Sequence, residues 1–86
     1  MPTAVTSEEL KAIVCEQFLD GDMNFPIEPE TNLLEEGICD SLGLVRLAAE
    51  LERHVPGLKV HDQDVTRDNL GSIALMAEFI RRKTGA

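Results

Sequence analysis

Tryptophan and tyrosine are absent from this 86-residue chain, and phenylalanine occurs only three times. It therefore lacks the aromatic platforms on which bases or sugars stack. Basic residues are scarce too: 8 Lys and Arg stand against 16 Asp and Glu, for a net charge of −8. A phosphate backbone is recruited by basic surface, so this balance argues against nucleic-acid binding. It favours solubility and encounter with basic patches on other proteins. No apolar run approaches the roughly 20 residues needed to cross a bilayer, so no membrane association is expected. The opening Met-Pro-Thr-Ala-Val-Thr has neither the basic region nor the apolar run of an export signal, which points to a cytoplasmic protein. Cysteine is limited to Cys15 and Cys39, which form no CxxC pair and are expected to be reduced thiols.

What is present is enough for one domain, residues 1–86 with a core at about 7–83, at the size where a single hydrophobic core just suffices. A monomer is expected. Thr6-Ser7-Glu8-Glu9 fits a capping box. Leu10, Ile13, Val14 and Phe18 follow at helical spacing, with Gly21 as the stop. Periodicity then lapses from Gly21 to Asp40, where Pro26, Pro29 and Gly37 punctuate the chain. Phe25, Ile27, Leu33, Leu34 and Ile38 supply apolar anchors there, so this long loop is predicted to be packed down.

A second helix is predicted from about Ser41 to His54, stopped by Pro56-Gly57. Asp62 to Thr66 reads as a short helical turn. The last helix starts near Ser72, carries Ile73, Met76, Ala77 and Ile80 on one face, and ends in Arg81-Arg82-Lys83, which suits the helix dipole. No alternating β pattern and no internal repeat occurs. The expectation is an all-α four-helix bundle: three main helices, a short third helix, and a long loop between the first and second.

The second helix has more apolar surface than one face can bury. Leu44, Leu47, Ala48, Leu51 and Val55 form one stripe. Leu42, Val45 and Ala49 form another, roughly opposite, beside Ser41. A small bundle buries one such stripe, so the second is either a docking surface or is covered by the third helix or the long loop.

Asp40-Ser41-Leu42 places a hydroxyl at the head of that helix, where unpaired backbone N–H groups and a partial positive charge favour anions. A phosphate esterified to Ser41 would be stabilised there. The alternative is that the Asp-Ser pair is ordinary helix capping. No catalytic apparatus surrounds it. Ser41 and His54 would lie about 20 Å apart at opposite ends of one helix, and no glycine-rich elbow frames the serine. Asp20-Gly21-Asp22-Met23-Asn24 starts like a calcium loop, but Phe25 and Thr31 stand where Gly and Glu are required. The run from Asp62 fails in the same way, with Arg67 and Ile73 at those positions. His54 and His61 lack metal-ligand company.

A helix, a long loop, Gly37-Ile38-Cys39-Asp40-Ser41-Leu42, an apolar helix, and Asn69-Leu70-Gly71-Ser72-Ile73 opening the last helix together resemble the acyl and peptidyl carrier proteins over about residues 7–83. The specificity lies in the combination. The resemblance implies phosphopantetheine on Ser41, with its terminal thiol carrying acyl or aminoacyl groups as thioesters. It implies that Asp40 helps engage the phosphopantetheinyl transferase and its magnesium, and that Leu42, Val45, Arg46 and Ala49 meet partner enzymes. Those partners would be an adenylating ligase or acyltransferase and downstream biosynthetic enzymes, the carrier itself being no enzyme.

Two departures bear on the pathway. Fatty-acid-synthesis carriers resemble one another in strongly acidic second helices, whereas here Arg46 and Arg53 balance Glu50 and Glu52. Those carriers usually have glycine or alanine where Cys39 stands. The sequence is more similar to the small free-standing carriers that pair with adenylating ligases in specialised metabolism. A fatty-acid carrier and a non-carrier acidic adaptor, with Ser41 a plain cap, are the competing readings. Arg46 itself either shapes partner choice or pairs with Glu50 at i+4.

Overall fold

Side-chain caps set the start of every helix in the computed structural model, which describes residues 6–85. The first residues, read above for an export signal, lie outside that span. Among the described residues there are four α-helices and no strand: α1 (Ser7–Phe18), α2 (Ser41–His54), α3 (Arg67–Leu70) and α4 (Ile73–Thr84). Thr6 and Glu9 form the expected capping box on α1, with the Thr6 hydroxyl accepting the Glu9 N–H at 3.1 Å. Thr66 caps α3, and Ser72 caps α4 by accepting the Leu75 N–H at 3.1 Å. Gly85 ends α4 at φ +73°, in the left-handed region that favours glycine.

The turn expected at Asp62–Thr66 is two elements. A 3-10 turn occupies Asp62–Asp64, and α3 begins only after Thr66. Thr66 takes an extended conformation and uses its hydroxyl as a cap, so it separates the two instead of continuing the first. A four-residue helix has no stability of its own, and side chains clasp this one in place. Asn69 donates to the Asp64 carbonyl at 2.9 Å and accepts from Arg82 at 3.0 Å, while Lys83 reaches Asp64 at 3.1 Å. The His61 N–H, and then Lys83, hold the Asp64 carboxyl below the usual carboxylate range.

α1 packs on α2 and α4, and α3 on α2 and α4. Leu10, Ile13, Val14, Cys15, Leu44, Leu47, Leu51, Met76 and Ile80 meet in the core. Phe79 joins them although it lies outside the stripe predicted for the last helix, because α4 is buried against two neighbours at once. Where α1 meets α2, the missing side chain of Gly43 makes room: a Cβ there would lie 2.9 Å from Phe18 Cε1 and 3.0 Å from Cys39 Cβ.

The long loop is packed down. Ile27, Leu33 and Ile38 are buried. Leu33 is fully enclosed; its N–H donates to the Gly71 carbonyl at 2.8 Å and its own carbonyl accepts from Ile38 and Cys39. The Ala74 N–H donates to the Pro29 carbonyl at 2.9 Å, so the loop is tied to both ends of the α3–α4 junction. Phe25 is the exception among the expected anchors. It is exposed, because a tight turn closed by Ile27 N–H and Phe25 C=O at 2.9 Å gives the inward place to Ile27.

Leu33→Ala should destabilise the fold by about 2–5 kcal/mol, and Leu34→Ala, at a half-buried position, by distinctly less. Denaturant unfolding measures both; neutrality at Leu33 would show that the loop is not part of the core. Gly43→Ala carries a helix-propensity gain of up to about 1 kcal/mol, which displacement of the Phe18 ring should cancel or reverse. A net stabilisation approaching that gain would show that the ring has room.

Candidate functional site

The second turn of the long loop, the end of α1 and the first turn of α2 converge on Ser41. Gly37 at φ +73° lets the loop reverse after Leu34, and the segment Ile38-Cys39 is then buried. Chain direction into α2 is therefore set by packing before the helix starts. Ser41 occupies the first helical position with its side chain exposed, and among the described residues its hydroxyl makes no hydrogen bond.

Capping falls to Asp40 alone. Its Oδ1 accepts the Gly43 N–H at 2.8 Å. The reading of Ser41 as a plain cap is thereby corrected: in the sequence the two residues are adjacent candidates, but Asp40 takes the extended conformation that a cap requires and Ser41 does not. The backbone N–H groups of Ser41 and Leu42 meet no acceptor among the described residues. An anion at this end of α2 would face both, together with the positive end of the helix dipole.

The two stripes of α2 separate as the periodicity suggested. Leu44, Leu47, Ala48 and Leu51 are buried, whereas Leu42 is 76 % and Val45 56 % exposed, and Ala49 is exposed with them. Neither the loop nor α3 covers this second stripe. Arg46, also exposed, turns away from Glu50. It lies over the Phe18 ring at 5.7 Å and donates to Gln17 Oε1 at 3.3 Å. Glu50 is engaged instead by Arg53 at 2.8 Å and His54 at 3.6 Å, so the expected i+4 pair with Arg46 is not formed.

Beside Ser41 lies an open-sided groove of about 790 Å³, bounded by Phe18 of α1, by Leu34, Gly37, Ile38 and Cys39 of the loop, and by Asp40, Leu42, Gly43 and Arg46. Its volume is within the range of ligand clefts. Phe18 follows the helical spacing of α1 and packs half-buried against the core, but no sequence pattern pointed to the groove it bounds. The available signal was Gly43, a glycine inside an otherwise strong helical pattern, which marks close packing. Burial, and then the Asp40 charge, push the Cys39 thiol up, so it stays protonated and a poor nucleophile at neutral pH. Ser41 and His54 are the first and last residues of α2, too far apart to act on one another. In the acidic turns the carboxylates serve the turns themselves, Asp22 accepting the Asn24 N–H and Asp64 the His61 N–H.

The family described as phosphopantetheine attachment site matches residues 8–80. Comparison with curated proteins returned no match. In this family the group is held covalently on a serine, and the domain is generally non-catalytic, serving partner enzymes such as phosphopantetheinyl transferases and biosynthetic enzymes. The residues present fit such a group: a helix start with two free N–H donors, an accessible hydroxyl, and an open groove alongside. Among the described residues no helix is long and apolar enough to cross a membrane. With the matched span running from the first turn of α1 into α4, the chain belongs to the phosphopantetheine-bearing family of carrier proteins.

Proposed function

We propose that Ser41 carries the phosphopantetheine arm, and that the protein tethers acyl or aminoacyl intermediates for enzymes of specialised, polyketide- or nonribosomal-peptide-type biosynthesis. The observation that carries the first half is an exposed hydroxyl, unused by the fold, at the head of a helix with free N–H donors. The other two serines fit poorly. Ser72 is buried and its Oγ holds the Leu75 N–H. Ser7 lies in the acidic first turn of α1 beside Glu8 and Glu9, where a phosphate would be repelled.

When bound, the arm supplies a thiol on a long flexible chain, and that thiol holds the cargo as a thioester. The chain's own residues do the rest. Asp40 fixes the helix start through one carboxylate oxygen and leaves the other for the transferase and its magnesium. The free N–H groups of Ser41 and Leu42 stabilise the phosphate charge. Leu42, Val45 and Ala49 offer an apolar stripe to partner enzymes. A tether of this kind raises the effective concentration of cargo at each partner's active site.

The specialised pathway is favoured by where the charge lies. The segment between α1 and α2 carries Asp20, Asp22, Glu28, Glu30, Glu35, Glu36 and Asp40 with no Lys or Arg, whereas α2 is balanced and shows Arg46 beside the apolar stripe. A cation there repels the basic rims of enzymes that read acidic helices, and repulsion is a source of specificity.

Coexpression with a broad-specificity transferase should add the mass of one phosphopantetheinyl group. Ser41→Ala should abolish the gain while leaving the helical circular dichroism intact, since Asp40 still caps α2. An alanine variant that gains the mass would place the arm elsewhere, and an unmodified wild type would favour the adaptor reading. Arg46→Glu should slow loading by the cognate adenylating ligase and speed acceptance by a fatty-acid malonyl transferase, each by about 1 kcal/mol or less after screening. Equal shifts with both enzymes, or none, would remove Arg46 from partner choice.

A further inference from the structure

We propose that the turn from Asp22 to Glu28 is a second docking surface, separate from α2, and that its occupant is an apolar pocket edged with Lys and Arg on the enzyme that loads the arm. This rests on the reading of Ser41 as the attachment residue of a carrier. Of the three phenylalanines, Phe18 and Phe79 pack against or within the core, whereas Phe25 is 38 % exposed. Met23, two residues before it, is 40 % exposed. Methionine and aromatic side chains are enriched where proteins meet. The turn presents this pair in a fixed shape. The Asp22 N–H donates to the Leu19 carbonyl at 2.9 Å, the Asn24 N–H donates to Asp22 Oδ1 at 3.0 Å, and Ile27 is buried just beyond. Little ordering entropy is then left to be lost on binding.

Asp20, Asp22, Glu28 and Glu30 flank the pair, all of them exposed, and none forms an ion pair among the described residues. A pocket that takes Phe25 therefore meets a rim of negative charge, which cations complement. The same charge counts against other occupants. A second copy on a two-fold axis would set these carboxylates against themselves, and an anionic lipid surface would repel them. The turn leaves α1 at the end that packs on the head of α2: Phe18 lies against Gly43, and the Gly21 N–H donates to the Cys15 carbonyl at 2.8 Å. An enzyme engaged at Ser41 is thus brought to the same end of the molecule as the turn. The two surfaces ask different chemistry of it, with no cation opposite Arg46 and cations opposite Phe25.

The test is loading of the transferase-modified full chain by the cognate adenylating ligase, with intact mass and sedimentation recorded first. Phe25→Ser should keep the helical circular dichroism and raise KM for the carrier several-fold at unchanged kcat. Glu28→Gln with Glu30→Gln should lower kcat/KM at low salt and flatten its fall as salt is raised, because screening then has less attraction to remove. Asp62→Asn with Asp68→Asn removes the same charge outside the turn and should change both quantities far less. The glutamate pair decides the matter even where Phe25→Ser fails to fold. An unchanged KM in a folded Phe25→Ser, or an unaltered salt dependence in the glutamate pair, would overturn the docking surface. Equal flattening by the aspartate pair would overturn it too, since net charge would then be what the enzyme reads. A wild-type dimer dissolved by Phe25→Ser would give the turn to a second copy instead. Wild type that gains the arm but is not loaded would overturn the ligase as occupant while leaving the attachment site standing. Absence of any mass gain would overturn the attachment reading and this proposal with it.

Discussion

Leu33 holds the architecture together. Its side chain is fully enclosed, its N–H is bonded to Gly71 at the end of α3, and its carbonyl gathers the N–H groups of Ile38 and Cys39. One residue thus ties the middle of a long, otherwise irregular segment to the far side of the bundle and folds the segment's exit back upon itself. The residues that lead into α2 leave this knot with little freedom. The position of Ser41 follows from it, and so does the wall of the neighbouring groove. Without such an anchor a loop this long would keep much of its conformational entropy, and the helix start would wander with it.

At the head of α2 the fold draws on Asp40 and not on the neighbouring serine. Asp40 satisfies the helix, which leaves the Ser41 hydroxyl without a structural task. Stability therefore places few demands on Ser41, the residue we propose as the attachment point. The same separation runs along α2, where one face fills the core and the opposite face stays bare. Charge is divided too: the segment between α1 and α2 carries carboxylates and no Lys or Arg, and α2 is left neutral with an arginine held over Phe18.

Side-chain polar contacts hold α3 to the turn before it and to the end of α4. α3 is too short to persist alone, and its Asn69 is bonded to both the preceding turn and the last turn of α4. The basic end of α4 has a second use beyond the helix dipole, because Lys83 reaches Asp64. Arg81 remains local, paired with Glu78 at i,i+3.

By itself the sequence determined the helical class, the starts of α1, α2 and α4, the two stripes of α2, and Asp40-Ser41 at a helix head. These are matters of nearest neighbours, settled by caps and by a 3.6-residue period that repeats within one element. Tertiary structure decided what depends on residues distant in the chain. It sent Phe25 outward and Leu33 inward, though both are large apolar residues in the same loop. It split the turn before α3, chose Gln17 and Phe18 over Glu50 as neighbours of Arg46, and opened the groove at Ser41 by packing Phe18 against Gly43. Local patterns carry no information about which elements will meet, because that choice is made by the competition of all apolar surfaces for one small core.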